Sequence, residues 1–432
     1  MMLSGNNGIL NRAGEARDIT GEKQTAEMVQ LAYMSALTEG NGQVTEQLLK
    51  NELDKTFGQN KYELSEDLTK VTINEKEYDI GGTVVGSSGL VEQADGTFKD
   101  SNNNEWVWIE VPKTVTAEVT EDNDIYNALR NYCEPVILKT GSDYKTTTCG
   151  WTDEWYAWDE ANSTVITEST ATPEQKELTN GCGLSLSEYK ETKHAMLNSI
   201  KDNGGFYIGK YETGNEGGTL NKTYYDDNSN VVVNPESTDD YSWYEGIWSG
   251  GKAVIKQNQI PYNWVTCNQA QNLAKGLATD GKQSSLLFGI QWDLVLKFIS
   301  VKENLGNDNT LLTSNSTTWG NYYNNTYNIT NPEAWYSIDY GAKWTKGAYN
   351  RTSNGAVLLT TGAHTNFSKQ NIFDLAGNVF EWTLEKTSDT YNPCSSRGGD
   401  YDNNGDDDPA SYRDDDCPTY SNDVLGFRVA LY

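Results

Sequence analysis

Histidine and cysteine, two residue types that often perform catalysis, are sparse in this 432-residue chain. It has two histidines, His194 and His364, and any histidine-based triad or histidine-rich metal site would have to use one or both. Both lie in polar stretches, and we interpret them as ordinary exposed imidazoles. The six cysteines lie far apart without a CxxC pair, at Cys133, Cys149, Cys182, Cys267, Cys394 and Cys417. This spacing argues against a zinc site and leaves disulfides open but unassigned.

The densest group of potential ligands is acidic and lies at the C-terminus. Asp400, Asp402, Asn404 and Gly405 fit positions one, three, five and six of the D-x-[DN]-x-[DN]-G calcium loop. Position twelve of that loop should be a bidentate glutamate, but here it is Ser411. No incoming helix is apparent either. We therefore assign no metal to these residues.

The residue types missing from the C-terminal segment are more informative than its acidity. Residues 400–432 hold nine aspartates but no Glu, Lys, Gln, Trp or Met. The first 399 residues contain 31 Glu, 26 Lys, 14 Gln, 13 Trp and 5 Met. About seven residues of these five types would be expected in a segment of this length. A solvated acidic loop that lacks them by chance is the alternative explanation.

Overall charge and composition limit the classes of function. The formal charge of −29 repels nucleic acid and anionic lipid, so neither is an expected partner. No run of 18 uncharged apolar residues appears, so the sequence predicts no membrane-spanning segment. The 26 tyrosines, 13 tryptophans and 39 glycines suit strands, turns and an aromatic-rich recognition surface. The expected fold class is α+β, rich in strands.

The N-terminal part of the chain is predicted to be a small α+β module over residues 1–80. Apolar residues from 28 to 37 indicate a helix that ends near Gly40, and a second helix should run from Thr45 to Phe57 and stop at Gly58. Short alternating stretches follow at 62–64, 68–73 and 78–80. The Gly/Ser-rich piece GGTVVGSSG begins a predicted linker over residues 81–103.

This first module resembles the soluble part of a type IV pilin-like protein. The segment NNGILNRAGEARDITGEKQTAEMVQLAYMSAL is similar to the stretch where the long pilin helix leaves the membrane. The resemblance implies a protein anchored or assembled at the cell surface, with a leader and an apolar half-helix upstream of this sequence and pilus subunits as further partners. An ordinary helical N-terminal domain is the alternative.

From residue 104 to 432 the sequence predicts a second, larger domain. Strand-like segments NEWVWIEVP and GGFYIGKYE are followed by a predicted helix within 260–277 and another over 284–299. Residues 300–370 are polar and predicted to be mostly loops. Phe427, Val429 and Leu431 alternate as one terminal strand.

Three motifs in order, NIFDLAGNVFEW (371–382), SRGGDY (396–401) and GFRVALY (426–432), resemble the formylglycine-generating-enzyme-like branch of the C-type lectin fold. The resemblance covers roughly residues 104–432. The enzymes of this branch oxidise a substrate cysteine with a cysteine pair just after the Gly-Gly motif, but DYDNNGDDDPASYR (400–413) contains no cysteine. Cys394 precedes the motif and Cys417 lies beyond that stretch. We therefore expect no oxidase activity and assign no catalytic residues.

The composition of residues 400–425 resembles the variable proteins of diversity-generating retroelements, many of which use this lectin branch. Random replacement of the two adenines of an AAC codon yields Asp, Asn, Tyr, Ser, Thr, Cys, Gly and Val, but never Glu, Lys, Gln, Trp or Met. Such residues alternate here with constant-looking positions at 397–399, 409–411, Arg413, Pro418 and 426–428. The resemblance implies a non-enzymatic, adhesin-like or receptor-like binding protein whose segment 400–425 varies.

We predict that the exposed ligand-binding set consists of Asp400, Asp402, Asn403, Asn404, Asp406, Asp407, Asp408, Tyr412, Asp414, Asp415, Asp416, Tyr420, Asn422 and Asp423. Tyrosines would supply rigid contact area, and aspartates would favour a basic protein patch or a cation-bridged sugar. The expected ligand is a protein or glycan of unknown identity. No cofactor is predicted, and structural calcium is left open with unassigned ligands. A formylglycine-generating-type oxidase and a calcium-dependent sugar-binding lectin are the alternatives.

Overall fold

A computed structural model describes most of the chain. The described ranges are 46–58, 61–65, 70–74, 76–79, 89–137, 151–233, 242–279, 281–306 and 308–432, together with Thr25, Met28, Val29 and Ala32. The chain divides into two compact units, Met1–Ser88 and Gly89–Tyr432. No helix within the described residues is long and apolar enough to cross a membrane.

The first unit packs one described helix against a small sheet. Helix α1 (Glu46–Phe57) is followed by antiparallel strands β1 (Tyr62–Leu64), β2 (Lys70–Ile73) and β3 (Lys76–Asp79). Leu49 and Leu53 lie one turn apart on α1 and are fully buried, and Gly58 ends the helix in the left-handed region at a φ of +89°. The predicted helix and strands are thus confirmed here. The four described residues from 25 to 32 are helical, and the rest of the expected first helix lies outside the described residues.

In the described part of the second unit there are five further α-helices and many short strands. The helices are α2 (Asp122–Ile137), α3 (Leu186–Asn198), α4 (Cys267–Lys275), α5 (Gly289–Lys302) and α6 (Thr310–Thr313). The strands are β4 (Val91–Glu92), β5 (Phe98–Lys99), β6 (Glu105–Glu110), β7 (Tyr156–Asp159), β8 (Thr164–Thr167), β9 (Gly205–Gly209), β10 (Gly214–Glu216), β11 (Thr219–Tyr225), β12 (Val231–Val232), β13 (Trp243–Ser249), β14 (Lys252–Val254), β15 (Ile260–Pro261), β16 (Ser284–Leu286), β17 (Tyr327–Ile329), β18 (Trp335–Ser337), β19 (Thr345–Lys346), β20 (Tyr349–Arg351), β21 (Leu358–Leu359), β22 (Ser368–Lys369), β23 (Ile372–Phe373), β24 (Phe380–Lys386), β25 (Cys394–Arg397), β26 (Arg413–Asp416), β27 (Leu425–Phe427) and β28 (Val429–Leu431).

A six-stranded antiparallel sheet begins this unit earlier than the sequence predicted. Its strand order is β16-β28-β9-β6-β5-β4. The linker expected over 81–103 therefore cannot extend past Gly89, because β4 and β5 form a hairpin that adds to β6. Gly96 lies in the turn between them at a φ of +78°. The Asp-Gly pair at 95–96 is a hairpin signal that the linker prediction overlooked.

A second sheet carries most of the C-terminal segment. Its order is β26-β25-β24-β27, antiparallel except for the parallel pair of β24 and β27. The predicted single terminal strand is wrong in one respect. The chain leaves this sheet after Phe427 and joins the six-stranded sheet at Val429, with Arg428 at the crossing. The alternation of apolar residues hid the break because both halves are fully buried.

Helix α5 forms the centre of the unit. Its residues are buried on nearly every side, including Trp292, and the carboxylate of Asp153 accepts hydrogen bonds from the backbone N–H groups of Gly289 and Ile290 at 2.7 and 2.9 Å. These bonds satisfy donors that every helix start leaves free. The helix predicted over 284–299 begins five residues late, since 284–286 form β16, which pairs with β28. A short apolar run does not distinguish a buried strand from a helix.

Candidate functional site

The segment from Gly398 to Val424, here called the tail loop, is held to the scaffold mainly through its backbone. The indole N–H of Trp292 donates to the carbonyl of Ala410 at 2.9 Å, and the Tyr322 hydroxyl donates to the carbonyl of Gly398 at 2.9 Å. Neither bond uses a tail-loop side chain. Replacement of the side chain at such a position leaves the anchoring bond available.

Backbone-to-backbone hydrogen bonds add further anchors along the same stretch. They join the carbonyls of Asn403 and Gly405 to Tyr323 and Ser316, and the Ser411 amide to Leu312, at 2.8, 2.7 and 3.0 Å respectively. All three partners belong to the chain from 312 to 323. This polar region, predicted to be mostly loops, therefore holds the tail loop through backbone hydrogen bonds.

Two buried arginines stabilise the junction of β25 and β26, where Arg397 ends β25 and Arg413 begins β26. Arg397 and Arg413 are completely buried and share two carboxylates, those of Asp293 on α5 and Glu385 on β24. The four nitrogen-to-oxygen distances lie between 2.9 and 3.1 Å. The two arginines and two acids balance in charge, and the pKa of Glu385 is held below its usual value by the arginines despite its burial.

Arg428 anchors the end of the segment in the same way. Its guanidinium contacts both oxygens of Glu381, at 2.6 to 3.1 Å, and donates to the carbonyls of Gly209 and Phe373. Both charged side chains are buried, and removing either partner would leave an unpaired charge. This pair explains why the chain crosses between the two sheets at this residue.

The constant-looking and variable-looking positions differ in burial. Residues 397–399, 409–411, Arg413, Pro418 and 426–428 are all buried. Among the predicted binding residues, the exposed ones are Asp402, Asn403, Asp406, Asp407 and Tyr420. The half-buried ones are Asn404, Asp408, Tyr412, Asp414, Asp415, Asp416, Asn422 and Asp423. Thirteen of the fourteen predicted residues therefore reach the surface.

Asp400 is the exception, and its inclusion in the exposed binding set was wrong. Its side chain is only 2% exposed and accepts hydrogen bonds from the backbone N–H groups of Asp402 and Asn403 at 2.8 and 2.9 Å. It closes an Asx turn at the start of the tail loop. Burial raises its pKa to about 8.

Asp402 and Asp423 of the predicted set lie near two tyrosines, Tyr340 and Tyr401, that the sequence analysis did not include. Burial, followed by the nearby charges of Asp402 and Asp423, raises the pKa of Tyr340, which is 48% exposed. The buried Tyr401 donates its hydroxyl to Asp423, and its ring lies 6.2 Å from that of Tyr340. Tyr340 lies about 60 residues before the tail loop in a polar stretch, and no local pattern marks it as a neighbour.

The Asp-rich strand β26 forms a separate part of the site. It is the edge strand of the four-stranded sheet, and Asp414, Asp415 and Asp416 are all half-buried on it. Burial, followed by the repulsion of Asp414 and Asp415, raises the pKa of Asp416 to about 8. The three carboxylates thus repel one another at a position with limited access to water.

Five of the six cysteines lie within the described residues, and four of these are buried. Cys394 is buried, with its Sγ 3.1 Å from the hydroxyl of Tyr156, and burial raises the pKa of its thiol far above the usual value. Cys417 is half-buried on the tail loop.

His194 contacts Asp122 at 2.9 Å on an exposed surface, whereas His364 is half-buried against Phe367, contrary to the expected exposure. The described residues contain no cluster of three or more His, Cys, Asp or Glu side chains arranged for a metal ion.

Comparison with known families agrees with this architecture. Residues 204–432 match the family described as sulfatase-modifying factor enzyme 1-like domain. Because the match covers more than half of the chain, this protein belongs to that family. Its mixture of antiparallel sheets and helices is consistent with the C-type lectin-like fold expected from the motifs. A comparison with curated protein sequences gives no match.

Several solved structures are distantly similar. PvdO from Pseudomonas aeruginosa is 16% identical, with a TM-score of 0.27, over 53% of this chain and 80% of that one. Treponema denticola variable protein 1 is 15% identical, with a TM-score of 0.21, over 76% and 84% of the two chains. CarF is 12% identical, with a TM-score of 0.21, over 72% and 83%. Similarities of this size carry no argument about function.

Proposed function

We propose that this protein binds a ligand through the exposed side chains of its tail loop, and that a retroelement diversifies these side chains. The observation that carries the proposal is the division of the segment by burial. Thirteen of the fourteen predicted binding residues, all of types reachable from AAC codons, occupy exposed or half-buried positions, while Arg397, Arg413 and Arg428 are buried in ion pairs. A surface of this kind can change its contacts without changing its fold.

The anchoring of the tail loop supports the same proposal. Trp292 and Tyr322 donate hydrogen bonds to backbone carbonyls of the tail loop, so these bonds do not depend on the tail-loop side chains. Loops positioned by a rigid scaffold are common sites of recognition. The exposed Tyr420 and Tyr340 add aromatic contact area beside the aspartates.

The test of diversification is genetic. The proposal requires a near-copy of the coding segment for about residues 390–432 beside a reverse transcriptase gene. Differences between copy and gene should fall at adenines of the copy. Mismatches spread over all four bases, or no repeat in the genome, would contradict diversification and favour an ordinary acidic loop.

We also propose that the protein is not an oxidase. The stretch after the Gly-Gly motif lacks a cysteine pair, and Cys394 lies buried beneath the sheet with a raised thiol pKa. A raised pKa leaves little reactive thiolate at neutral pH. No conversion of a cysteine-containing peptide is expected, with or without added copper. Turnover that disappears in the Cys394→Ser or Cys417→Ser variant would contradict this.

The ligand is proposed to be a protein or a glycan met at the cell surface, with the N-terminal unit serving as a pilin-like attachment module. A calcium-dependent sugar-binding lectin is the competing function. Binding to a glycan array only in the presence of calcium, and its loss on chelation, would favour that alternative. Surface labelling of intact cells with an antibody against the second unit tests the location.

A further inference from the structure

The two sides of the edge strand β26 carry different chemistry. Asp414 lies directly across from Ser396 on β25, and Asp416 lies across from Cys394. Cross-strand partners place their side chains on the same face of a sheet. Arg413 alternates to the opposite face, where it meets Glu385. Asp414, Asp416 and Ser396 therefore share one face, away from the buried ion pairs.

Among the described residues, the two carboxylates on this face have no cationic partner. Within the part of the chain that the structure describes, the Asp416 side chain makes no hydrogen bond or ion pair, and only the backbone N–H of Asp415 meets Asp414. Both are half-buried. Partly buried acids are usually paired, because burial without a partner is costly.

An independent observation on the same face points to a ligand. The Ser396 side chain is completely buried, and among the described residues its hydroxyl has no hydrogen-bond partner. Buried hydroxyl groups nearly always have one. Tyr412, two residues before Asp414, is half-buried with its ring 6.0 Å from that of Phe380. It adds an aromatic wall next to the acids.

We propose that Asp414, Asp416, Ser396 and Tyr412 form a pocket for the primary ammonium group of a lysine on a protein partner. A lysine ammonium has three donors and no acceptor, which matches two carboxylates and one hydroxyl oxygen. An aromatic ring can also contact the cation and its aliphatic stem. Calcium fits less well, because it takes six to eight oxygen ligands. The inference rests on the proposed function and names the ligand class of part of that site.

Dansylcadaverine is a suitable probe, since it carries a primary ammonium on a five-carbon stem and its fluorescence reports binding. We expect the full chain to bind it and to ignore the dansyl amide of pentylamine, which lacks the charge. The double variant Asp414→Asn/Asp416→Asn should lose affinity by about tenfold or more. The control Asp406→Asn/Asp407→Asn makes the same two substitutions at exposed positions and should change affinity by less than about twofold.

Equal losses in both double variants would overturn the pocket, since they would indicate general attraction to an acidic surface. Displacement of the probe by Ca²⁺ alone, dependent on Asp414 and Asp416, would overturn it in favour of a metal site. If the double variant does not fold, Ser396→Ala supplies the test, with a smaller loss of affinity expected at unchanged melting temperature. Failure here leaves the genetic test of diversification unaffected, so the two proposals can fail separately.

Discussion

Two groups of carboxylates in the second unit differ in burial and in their partners. Asp293, Glu381 and Glu385 are buried, and each contacts at least one buried arginine. Asp402, Asp406 and Asp407 are exposed on the tail loop. The first group determines the path of the chain through its fixed partners. The second group presents charge to solvent, and replacing its side chains should have little effect on the stability of the fold.

The scaffold that supports both groups explains how they can coexist. The arginines that pair with the first group come from the same segment that displays the second, at positions 397, 413 and 428. Each arginine holds a point of the segment, and the exposed residues lie between these points. Acidic composition alone does not distinguish the two roles, whereas burial and pairing do.

Breaking the buried group should have the largest effect. Arg413→Ala leaves Asp293 and Glu385 with only Arg397 between them, and one carboxylate becomes an uncompensated buried charge. We expect a loss of about 3–5 kcal/mol of unfolding free energy. Denaturant unfolding of the isolated variant measures it, with Asp407→Ala as the exposed control, which should change stability by less than about 0.5 kcal/mol. Similar losses in both variants would remove the distinction between the groups.

Asp400 lies between the two groups and should give an intermediate effect. Its carboxylate satisfies two backbone N–H groups, and Asp400→Ala leaves these donors in a buried turn. A loss of about 1–3 kcal/mol is expected. Asp400→Asn retains one acceptor oxygen and should cost less. An alanine variant as stable as the parent would show that the Asp400 carboxylate does not stabilise this turn.

The dependence of stability on pH should separate the groups further. The folded-state pKa values of Asp400 and Asp416 are raised from 3.8 to about 8, so the folded protein holds protons that the unfolded chain releases. Their contribution to stability is complete below about pH 4 and is lost as the pH rises towards 8. We expect the melting temperature of the second unit to fall by a few degrees between about pH 5 and pH 8. Asp416→Asn should flatten part of this slope, and a steeper slope would contradict the assignment.

Much of the second unit was predictable, but not how its parts meet. The apolar stripe of α4 predicted that helix, and the structure shows in addition a capping box formed by Thr266 and Gln269. The motifs near Gly377, Gly398 and Gly399 indicated the lectin-like fold. The buried position of Asp400 was not predictable, because an aspartate followed by polar residues is equally typical of an exposed loop and of an Asx turn.

The remaining errors have one physical cause. The sheet change at Arg428 and the role of Tyr340 both depend on contacts between distant parts of the chain. Sequence periodicity reports which residues are buried, but it does not report which surface they are buried against. The choice of candidate binding residues rests on absent residue types, which do not depend on tertiary contacts, and it stays a prediction.

The smallest expected effect concerns the exposed positions themselves. Simultaneous replacement of Asp402, Asn403, Asp406, Asp407 and Tyr420 by other residues reachable from AAC codons should change unfolding free energy by less than about 1 kcal/mol, as long as the sites act independently. Thermal unfolding of a few such variants checks this. A strongly destabilised set would show that these side chains contribute to folding.

A library measurement tests the central claim most directly. Codons for residues 397–428 are randomised one at a time to the AAC-derived residue set, and folded second units are selected by protease resistance on yeast. The account predicts that Asp402, Asn403, Asp406, Asp407 and Tyr420 accept nearly all replacements, whereas Arg397, Arg413 and Arg428 accept almost none. Equal tolerance along the whole segment, or intolerance at the exposed positions, would contradict a fixed scaffold that displays replaceable side chains.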